Sequence, residues 1–567
     1  MTNSDLRTLS AIPRPGEDAI LVATIGGVAE IGMNWTLYGA DDQFILVDAG
    51  TTFAPRDVAG VEAVMPDPHI FRLLGRRLKG LVVTHFHEDH VGAIHRLWPK
   101  HAKCPIFAPP FAAMMLSNRF QEMGTRGNVS LTTFTPGAEL DIGAFHLRTI
   151  MVAHSTPHCV ALAIEHGGKR IIHTGDWKID PAPGIGSTTD LDAFARLGRA
   201  GVDLMLCDST NADRERPQTS EASVREAMTK VFKDAKGMVF VSSFGSNVAR
   251  MASVAHAAKA ARRKVALAGR SLRNAAEVAE KLGLTRDVPA FLPDSTKFNG
   301  TQRRGCVLIC TGTQGEENAA LAKLAAKKVV DPRLPEVKPG DVIVHSARAI
   351  PGNEEYIDAV LDGLRAKGAR IITAADLVDG QPVHVTGHPC RTDLREMYKA
   401  VRPRLAMPVH GTPAHLEAHA ALARDAGVEA AVTPRDGAIY ALTHGGLAEV
   451  GHLALGRVAV LNDGAATLVP WSDAEQRPLL SAADADRIER HMQVEDDRLQ
   501  RKLDRLAGPA HPARDRAKAR QRTGRGERSA DAYHVAEVTR PFTVETRKRR
   551  SAAPARPQSF IEGPQPF

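Results

Sequence analysis

The chain has 567 residues, of which 43% are hydrophobic and 24% are charged, so it is expected to fold into about three or four globular units. It contains no apolar run of about 18 residues and no signal-peptide apolar core near residue 1, which excludes a membrane span and predicts a cytoplasmic protein. The net charge of +8 comes from residues 501–567, which contain 16 Lys and Arg but only 7 Asp and Glu. Such a tail is typical of a protein that binds a polyanion such as nucleic acid, and equally of a solvated extension without a partner.

The first predicted elements are short strands joined by turns. AILVATIGGV and NWTLYGADDQFILVDAG, around residues 20–50, combine apolar segments with the turn signals GG and GADD. Further apolar strands, several of which end in a polar residue, lie at 81–84, 145–154, 160–176 and 202–210. Helix-like runs between some of them indicate an α/β chain.

From about residue 212 the pattern changes to alternating helices and strands. SEASVREAMTKVFKDAK is predicted to form a helix, with Ser220 as its N-cap and Glu221 in its first turn. CVLICTGTQGEENAALAKLAAKK and DVIVHSARAIPGNEEYIDAVLDGLRAKG then repeat a strand–helix pattern, which predicts a parallel sheet over 212–385. The six cysteines form no CxxC pair and are interpreted as buried free thiols.

The C-terminal third is less regular. Residues 386–452 return to a mixed texture. Residues 453–507 are interpreted as a linker with a charged helix at 476–506. Residues 508–567 are rich in Arg, Ala, Pro and Gly without apolar periodicity, which predicts a disordered basic tail.

The densest group of titratable residues is THFHEDH. A strand presents positions i and i+2 on the same side, so His85 and His87 can converge where the strand ends. Asp89 and His90 then begin the next helix, while Glu88 is expected to point away. Imidazole and carboxylate groups at this spacing suit zinc or a similar metal, whereas a polar turn would not need four ligand-type groups in six residues.

Three further ligand-type residues follow apolar strands later in the chain. They are His154 in MVAHSTPH, Asp176 in IIHTGD and His410 in LAMPVHG. Because α/β folds gather their chemistry at strand ends, these residues are candidates to complete the metal site.

In this order, the residues resemble the signature of the metallo-β-lactamase superfamily: HxHxDH, a later His, an Asp in TGD and a final His. The stretches GGVAEIGMN, DSTNA, CTGTQGE, IPGNE, HVTGH and MPVHG further resemble ribonuclease J, a β-CASP member of that superfamily. The resemblance covers about residues 20–450 and implies an αββα sandwich interrupted by an inserted β-CASP α/β domain, with a divergent basic C-terminal tail. The implied domains are a first metallo-β-lactamase part at 18–211, the β-CASP domain at 212–385 and a completing metallo-β-lactamase part at 386–452.

The resemblance also implies two metal ions, taken as Zn²⁺ with Mn²⁺ or Mg²⁺ as alternatives. Carried over by position, the ligands are His85, His87 and His154 for one ion, Asp89, His90 and His410 for the other, and Asp176 between them. Two ions about 3.5–4 Å apart would activate a water as the hydroxide that hydrolyses a phosphodiester, and Asp89 would orient it.

By the same resemblance, His388 would protonate the leaving 3′-oxygen and His384 would shape the site. FGSNVARM puts Ser246 and Asn247 at the start of a helix, where an anion can bind, although ordinary N-capping explains both residues nearly as well. The implied pocket for a 5′-monophosphate comprises Ser246, Asn247, Thr386, Gly387 and His388.

The predicted function is therefore a zinc-dependent ribonuclease of RNA processing and decay, acting 5′→3′ on 5′-monophosphate RNA, with endonuclease activity in addition. RNA is the expected partner, and a homo-oligomer, dimer or tetramer, is allowed. One alternative is a DNA nuclease of the same fold. A small-molecule hydrolase would not need the roughly 170-residue insertion, and a non-catalytic RNA-binding scaffold would be expected to lack ligands.

The chain departs from the family pattern at several positions. His158 follows the Pro of HSTPH, where the family often has an acidic residue, which bears on the support of His154. Thr386 replaces a common Ser but keeps the hydroxyl, and Pro389 and Cys390 stand where small or polar residues are usual. The family's small C-terminal α/β domain is not visible after residue 460, which removes the expected basis for an oligomer that relies on it.

Overall fold

A computed structural model describes most of the chain up to the end of the charged helix. The described residues are 18–55, 58, 60–215, 219–327, 331–463 and 465–507, with side chains described up to residue 494. The tail predicted at 508–567 lies outside them. Among the helices of this described part, none is both long and apolar enough to span a bilayer.

The described residues of the first part of the chain form twelve strands and five α-helices. They are β1 Ile20–Gly26, β2 Trp35–Ala40, β3 Gln43–Val47, β4 Val61–Pro66, α1 His69–Leu74, β5 Leu78–Val82, α2 Glu88–Val91, α3 Ile94–Leu97, β6 Ile106–Ala108, α4 Pro110–Glu122, β7 Leu131–Thr133, β8 Glu139–Ile142, β9 Phe145–Met151, β10 Val160–His166, β11 Lys169–His173, α5 Leu191–Ala200 and β12 Leu204–Asp208.

The middle part alternates helices and strands, as the sequence predicts. Its elements are α6 Glu221–Asp234, β13 Val239–Ser242, α7 Val248–Ala260, β14 Lys264–Ala268, α8 Arg270–Lys281, β15 Cys306–Cys310, α9 Ala320–Ala325, β16 Val342–His345, α10 Glu354–Ala366, β17 Arg370–Ile372, β18 Leu377–Val378 and β19 Gln381–Pro382.

The last part contains α11 Arg391–Val401, β20 Leu405–Val409, α12 Pro413–Asp425, β21 Ala430–Ala431, β22 Ala438–Thr443, β23 Gly446–His452, β24 Arg457–Leu461, β25 Leu468–Ser472, β26 Arg477–Pro478 and α13 Ala482–Ala507. The described residues form two compact units: those from 18 to 460 with 468–479, and those in 461–467 and 480–507. The region 453–507 was expected to be a linker with a helix from 476. Instead it contains three strands before the helix, because RVAVL pairs with LVPWS as a buried antiparallel ladder.

Two mixed sheets form a sandwich. Their strand orders are β23-β22-β1-β2-β3-β5-β6-β7 and β21-β20-β12-β11-β10-β9-β8. Buried side chains from both sheets meet in one core, for example Tyr38 and Ile45 from the first sheet with Leu162, Leu204 and Met407 from the second. Burial of each such side chain contributes about 1.5–3 kcal/mol to folding, so this interface holds the two sheets at a fixed distance.

Helices cover the outer faces of the sandwich. On the first sheet, Trp35 contacts Phe71 of α1 at a ring-centroid distance of 5.6 Å, and Phe71 contacts Trp98 at 5.1 Å. On the second sheet, Phe194 of α5 and Tyr398 of α11 belong to a second apolar cluster. The αββα sandwich predicted from the sequence is confirmed.

The middle part forms a separate five-stranded sheet of order β14-β15-β13-β16-β17, in which every pairing is parallel. The predicted cap of α6 is present, since the Ser220 hydroxyl accepts a hydrogen bond from Ala222 N at 3.2 Å. Cys306 and Cys310 are buried in its core, and all six cysteines are free thiols. This sheet lies in the chain between β12 and β20, which are neighbours in the sandwich, so it is an insertion.

The sandwich brings the ends of distant strands to one edge. β12 pairs in parallel with β20 so that Asp208 aligns with Val409, and His410 follows directly. β5 ends at Val82, a short connection carries His85 and His87, and α2 begins at Glu88. The candidate residues of the sequence analysis therefore lie at the carboxyl ends of these strands, as the strand-end rule predicts.

Gly50 allows the chain after β3 to approach α2 closely. A Cβ atom at residue 50 would lie 1.7 Å from the Asp89 carbonyl oxygen and 2.7 Å from His90 N, and backbone cannot move away as a flexible side chain can. The close approach is used by two hydrogen bonds, from Ala49 N to His90 O at 2.8 Å and from Thr51 N to Glu88 O at 3.0 Å.

We therefore expect Gly50→Ala to destabilise the protein by about 1–3 kcal/mol or more, because overpacking forces the backbone apart. Thermal unfolding followed by circular dichroism measures this. Gly127→Ala is the matched control, because a Cβ at residue 127 meets nothing within 4 Å. Equal melting temperatures for the two variants would contradict the role assigned to Gly50.

Candidate metal centre

The strand ends bring nine titratable side chains into three overlapping groups in which the ligand-type atoms lie within 4.8 Å of one another. The groups are His85, His87, His154 and Asp176; Asp89, His90, Asp176 and His410; and Asp176, Asp208, His388 and His410. All seven metal ligands expected from the sequence are therefore neighbours, and His388 adjoins them.

In the first group, three imidazoles point nitrogen atoms at one another. His87 Nδ1 lies 3.1 Å from His85 Nε2 and 3.0 Å from His154 Nε2. Burial lowers the pKa of His87 to about 4 and lowers the pKa values of His85 and His154 well below 6.5, so the rings are neutral near pH 7. Neutral imidazole nitrogens converging on one point are the donor set of a zinc-type site.

The opposite ring nitrogens are held by hydrogen-bond partners. His154 Nδ1 donates to the Gly387 carbonyl oxygen at 2.6 Å, which leaves the lone pair on Nε2 facing the group. His85 Nδ1 lies 3.0 Å from Thr84 Oγ1, and His87 Nε2 lies 3.3 Å from Ser155 Oγ. Such partners fix the tautomer and orientation of metal-binding histidines.

His158 does not support His154. Its Nδ1 is buried without a hydrogen-bond partner in the described part of the chain, and burial lowers its pKa. The support comes instead from Gly387, where a Cβ atom would lie 2.6 Å from His154 Cε1. The orientation of His154 therefore depends on Gly387 and not on His158, and a glycine at 387 is needed for the close approach.

The second group is built around His90 and is supported by Asp48. His90 Nδ1 donates to Asp48 Oδ2 at 2.7 Å, and Asp48 also accepts from Thr84 N at 2.8 Å. Burial lowers the pKa of His90, but the carboxylates of Asp176, Asp89 and Asp48 outweigh it and raise the pKa well above 6.5. His90 Nε2 remains 3.3 Å from Asp176 Oδ1.

Asn34 and His410 complete the surroundings of Asp89. Asn34 N donates to the Asp89 carbonyl oxygen at 2.8 Å, and the Asn34 amide lies 3.1 Å from His90 Nε2. His410 Nε2 lies 3.1 Å from Asp89 Oδ2. The motif GGVAEIGMN therefore orients two candidate ligands.

Asp176 lies between the two groups. Its Oδ1 is 3.3 Å from His90 Nε2 and 3.4 Å from His410 Nδ1, and its Oδ2 is 3.6 Å from His85 Nε2 and 3.7 Å from His154 Nε2. Oδ2 is buried and has no hydrogen-bond partner in the described part of the chain. A buried carboxylate oxygen without a donor is costly, and a cation beside it would remove that cost, so this donor set fits metal ions.

Asp208 is a residue that the sequence analysis did not assign. Its Oδ2 lies 2.8 Å from His388 Nδ1 and its Oδ1 lies 3.3 Å from His410 Nδ1, while Thr210 donates to Oδ1 from both its backbone and its hydroxyl. Burial lowers the pKa of His388, but Asp208 and Asp176 raise it above 6.5 overall. The available signal was its position at the end of the strand in VDLMLCDST.

His384 is not part of these groups. Its Nδ1 lies 3.2 Å from Arg250 Nη1 and 3.1 Å from the Ser346 carbonyl oxygen. Burial, followed by the charges of Arg250 and Arg348, lowers the pKa of His384 well below 6.5, so this ring is neutral. Glu88 points away from the groups as expected and pairs with Arg119.

The predicted phosphate-pocket residues occupy two segments. Asn247 caps α7, since its Oδ1 accepts from Arg250 N at 2.8 Å. Thr386 Oγ1 accepts from His388 N at 3.2 Å and from Asn211 Nδ2 at 3.2 Å. Ser246 is half-buried beside Asn247. Arg250 joins the two segments, because its guanidinium also donates to Val385 O at 3.4 Å.

Comparison with known proteins gives three matches to family models. "Metallo-beta-lactamase superfamily" matches residues 31–195, "Ribonuclease J, beta-CASP domain" matches 236–364, and "Zn-dependent metallo-hydrolase RNA specificity domain" matches 381–434. Ribonuclease J of Sinorhizobium meliloti is 41% identical over 433 residues, covering 76% of this chain and 75% of the relative. The chain belongs to the ribonuclease J family.

A second relative agrees with this assignment, and a solved structure agrees with the fold. Ribonuclease J of Mycobacterium tuberculosis is 37% identical over 420 residues, covering 74% of each chain. A crystal structure of a protein of unknown function from Enterococcus faecalis is similar in fold, with a TM-score of 0.53 and 16% identity over 75% of this chain and 100% of that one. As a member of the ribonuclease J family with the metallo-β-lactamase fold, the protein is a metal-dependent ribonuclease with RNA as its substrate.

We expect Asp48→Asn to lower the affinity for metal by about 10- to 100-fold, because a metal-bound His90 would lose the carboxylate that orients its ring. Competition titration against a chelating dye measures this. Asp141→Asn is the control, since Asp141 makes a similar bond to His146, at 2.8 Å, on an exposed surface. An unchanged affinity in Asp48→Asn would remove His90 from the metal site.

Proposed function

We propose that this ribonuclease hydrolyses RNA phosphodiester bonds with two metal ions, Zn²⁺ first and Mn²⁺ or Mg²⁺ as alternatives. The observation that carries the proposal is Asp176, a buried carboxylate whose two oxygens face different histidine groups and one of which has no hydrogen-bond partner in the described residues. Asp176 would therefore help to hold a cation beside each of the two histidine groups.

The proposed ligands are three histidines for one ion, two histidines and an aspartate for the other, and Asp176 for both. They are His85, His87 and His154; Asp89, His90 and His410; and Asp176. When bound, two such ions supply a water of lowered pKa and neutralise charge on the phosphodiester. The chain's own groups must then orient the water, hold the substrate and protonate the leaving oxygen.

His388 is the proposed general acid for the leaving 3′-oxygen. Its pKa is raised above 6.5 by Asp208 and Asp176 against the effect of burial, which keeps a proton on the ring near neutral pH. The bond from Nδ1 to Asp208 Oδ2, at 2.8 Å, leaves Nε2–H as the donor toward the substrate. Asp89, whose side chain is 27% exposed, is the proposed group that orients the attacking water. His384 is proposed to shape the site.

The proposed polarity is 5′→3′ on RNA that bears a 5′-monophosphate, with endonuclease activity in addition. Ser246, Asn247, Thr386, Gly387 and His388 form the proposed end pocket. The Asn247 oxygen is used as a helix cap, so its amide N–H groups are the ones that remain for a phosphate. The start of α7, a 13-residue helix, adds a favourable dipole for an anion.

The proposed function includes a cellular role, an assembly state and domain boundaries. The enzyme would act in cytoplasmic RNA processing and decay, and a homo-oligomer, dimer or tetramer, stays a prediction. The proposed domain boundaries are 18–211 for the first metallo-β-lactamase part, 212–385 for the insertion and 386–452 for the completing part.

One assay tests the reaction. The protein receives 3′-labelled RNA and DNA of the same sequence with 5′-monophosphate, triphosphate or hydroxyl ends, and products are resolved on a sequencing gel. We expect mononucleotides from 5′-monophosphate RNA and loss of at least about 1,000-fold in rate for Asp176→Asn, since both ions lose a ligand. Asp141→Asn should remain active. Preferred cleavage of DNA would favour the alternative of a DNA nuclease, and full activity of Asp176→Asn would contradict the two-metal site.

The role of His388 has a separate test. His388→Ala should slow cleavage of ordinary RNA by about 100- to 10,000-fold, the usual contribution of a general acid. RNA with a 3′-bridging sulfur at the scissile bond should be slowed far less, because a thiolate leaves without a proton. His146→Ala, at an exposed aspartate-bonded histidine, is the control. Equal slowing on both substrates would exclude His388 as the acid.

A further inference from the structure

The motifs CTGTQGE and IPGNE do not contribute to the metal centre, yet they are joined to each other by Gln314. Its Nε2 donates to Arg348 O at 2.8 Å, and its Oε1 accepts from Ile350 N at 2.8 Å and from Asn353 Nδ2 at 3.2 Å. Gln314 itself is only 4% exposed. The two motifs therefore fix the backbone of one loop, residues 348–353, and this loop begins with an arginine.

Hydrogen bonds of Ser346, just before this loop, connect it to the HVTGH segment. Ser346, two residues before Arg348, donates from its hydroxyl to Val383 O at 2.6 Å, and its carbonyl oxygen accepts from Arg250 Nη1 at 3.1 Å. Arg250 also contacts His384 and Val385 O. The position of residue 348 relative to Thr386 and His388 is thus set by buried hydrogen bonds.

The Arg348 side chain reaches toward the proposed end pocket. Its Nη1 donates to Asn211 Oδ1 at 3.4 Å, and Nδ2 of the same amide donates to Thr386 Oγ1 at 3.2 Å and to His388 O at 3.4 Å. The charge of Arg348 contributes to the lowered pKa of His384, after burial and Arg250. Arg348 is half-buried, in contrast to the fully buried Arg250.

Among the residues assigned to the proposed end pocket, only His388 can carry a positive charge, and its Nδ1 proton is already bonded to Asp208 at 2.8 Å. Arg250 is fully buried, and its charge is neutralised by Glu221 through bonds of 2.7 and 3.0 Å. Ser246, Asn247 and Thr386 are uncharged. A 5′-monophosphate carries a charge of about −1.5 to −2 near pH 7 and is best matched by a guanidinium, which can donate two parallel hydrogen bonds to it.

We propose that Arg348 binds the 5′-terminal phosphate of the RNA beside Thr386 and His388, and that CTGTQGE and IPGNE are the scaffold that presents it. The proposal rests on the proposed function and adds its charge-recognising residue. Arg348 is a specificity residue: it discriminates a phosphorylated end from a hydroxyl end and takes no part in bond cleavage.

The test compares two RNAs of identical sequence, one with a 5′-phosphate and one with a 5′-hydroxyl, as substrates of the full-length protein. Arg348→Ala should raise KM for the 5′-phosphate RNA by about 10- to 100-fold, the effect of one charged hydrogen-bonding group, with kcat and the 5′-hydroxyl reaction unchanged. Arg348→Lys should retain part of the preference, because it keeps the charge and loses the paired geometry. Arg365→Ala, at an exposed arginine of α10 bonded to Asp362, is the control.

Other outcomes separate the alternatives. Hydrolysis of bis(p-nitrophenyl) phosphate reports on the metal centre without an RNA end and should be unchanged in Arg348→Ala. If Arg348→Ala and Arg348→Gln both lose activity equally on the two RNAs and on this ester, Arg348 is a structural support of the HVTGH segment. That result would overturn the proposal. An unchanged KM would overturn it too. A wild-type protein that does not discriminate the two ends would instead contradict the proposed end specificity.

Discussion

The packing of many ionisable groups at one edge of the sandwich is the constraint on which the rest of the site depends. Six imidazoles and four carboxylates lie within reach of one another: His85, His87, His90, His154, His388, His410, Asp48, Asp89, Asp176 and Asp208. Each buried charge costs several kcal/mol unless it is paired. The glycines at 50 and 387, the strand-end carboxylates and the hydroxyls of Thr84 and Thr210 all serve that pairing. Among the ligand atoms of the described residues, Asp176 Oδ2 is the buried oxygen that has no hydrogen-bond partner.

Strand periodicity and the strand-end rule predicted an α/β chain and candidate ligands at strand ends, while the αββα sandwich and the distribution of ligands between two ions were implied by the resemblance to the metallo-β-lactamase superfamily. In this way the sequence identified all seven residues that the fold brings together. It did not identify Asp48 or Asp208, although both end an apolar strand in ILVDAG and LMLCDST. Their roles depend on partners 42 and 180 residues away, His90 and His388, and no local pattern encodes such a pairing. The strands RVAVL and LVPWS were not predicted for a similar reason, because each is short and its pairing partner is equally short.

The segment HVTGH connects the chemistry of the centre to the inserted sheet. Gly387 holds a candidate metal ligand through its carbonyl oxygen, Thr386 accepts from Asn211, and His388 pairs with Asp208. The residues just before it are bonded to Arg250 of the insertion. In the proposed function, the residues assigned to the RNA end and to bond cleavage are therefore only one or two peptide units apart, and Gly387 connects this segment to His154.

The parallel pairing of β12 with β20 also makes the second sheet depend on a strand that follows the whole insertion in the chain. The ribosome synthesises the chain from its N-terminus, so β20 and His410 appear only after the whole insertion. Only then can β20 join the second sheet. Until then β12 lacks its neighbour, and Asp89 lacks its partner His410. A nascent chain that ends before β20 therefore contains the residues of the first histidine group but not His410, so the candidate metal centre can be complete only after the insertion has been synthesised.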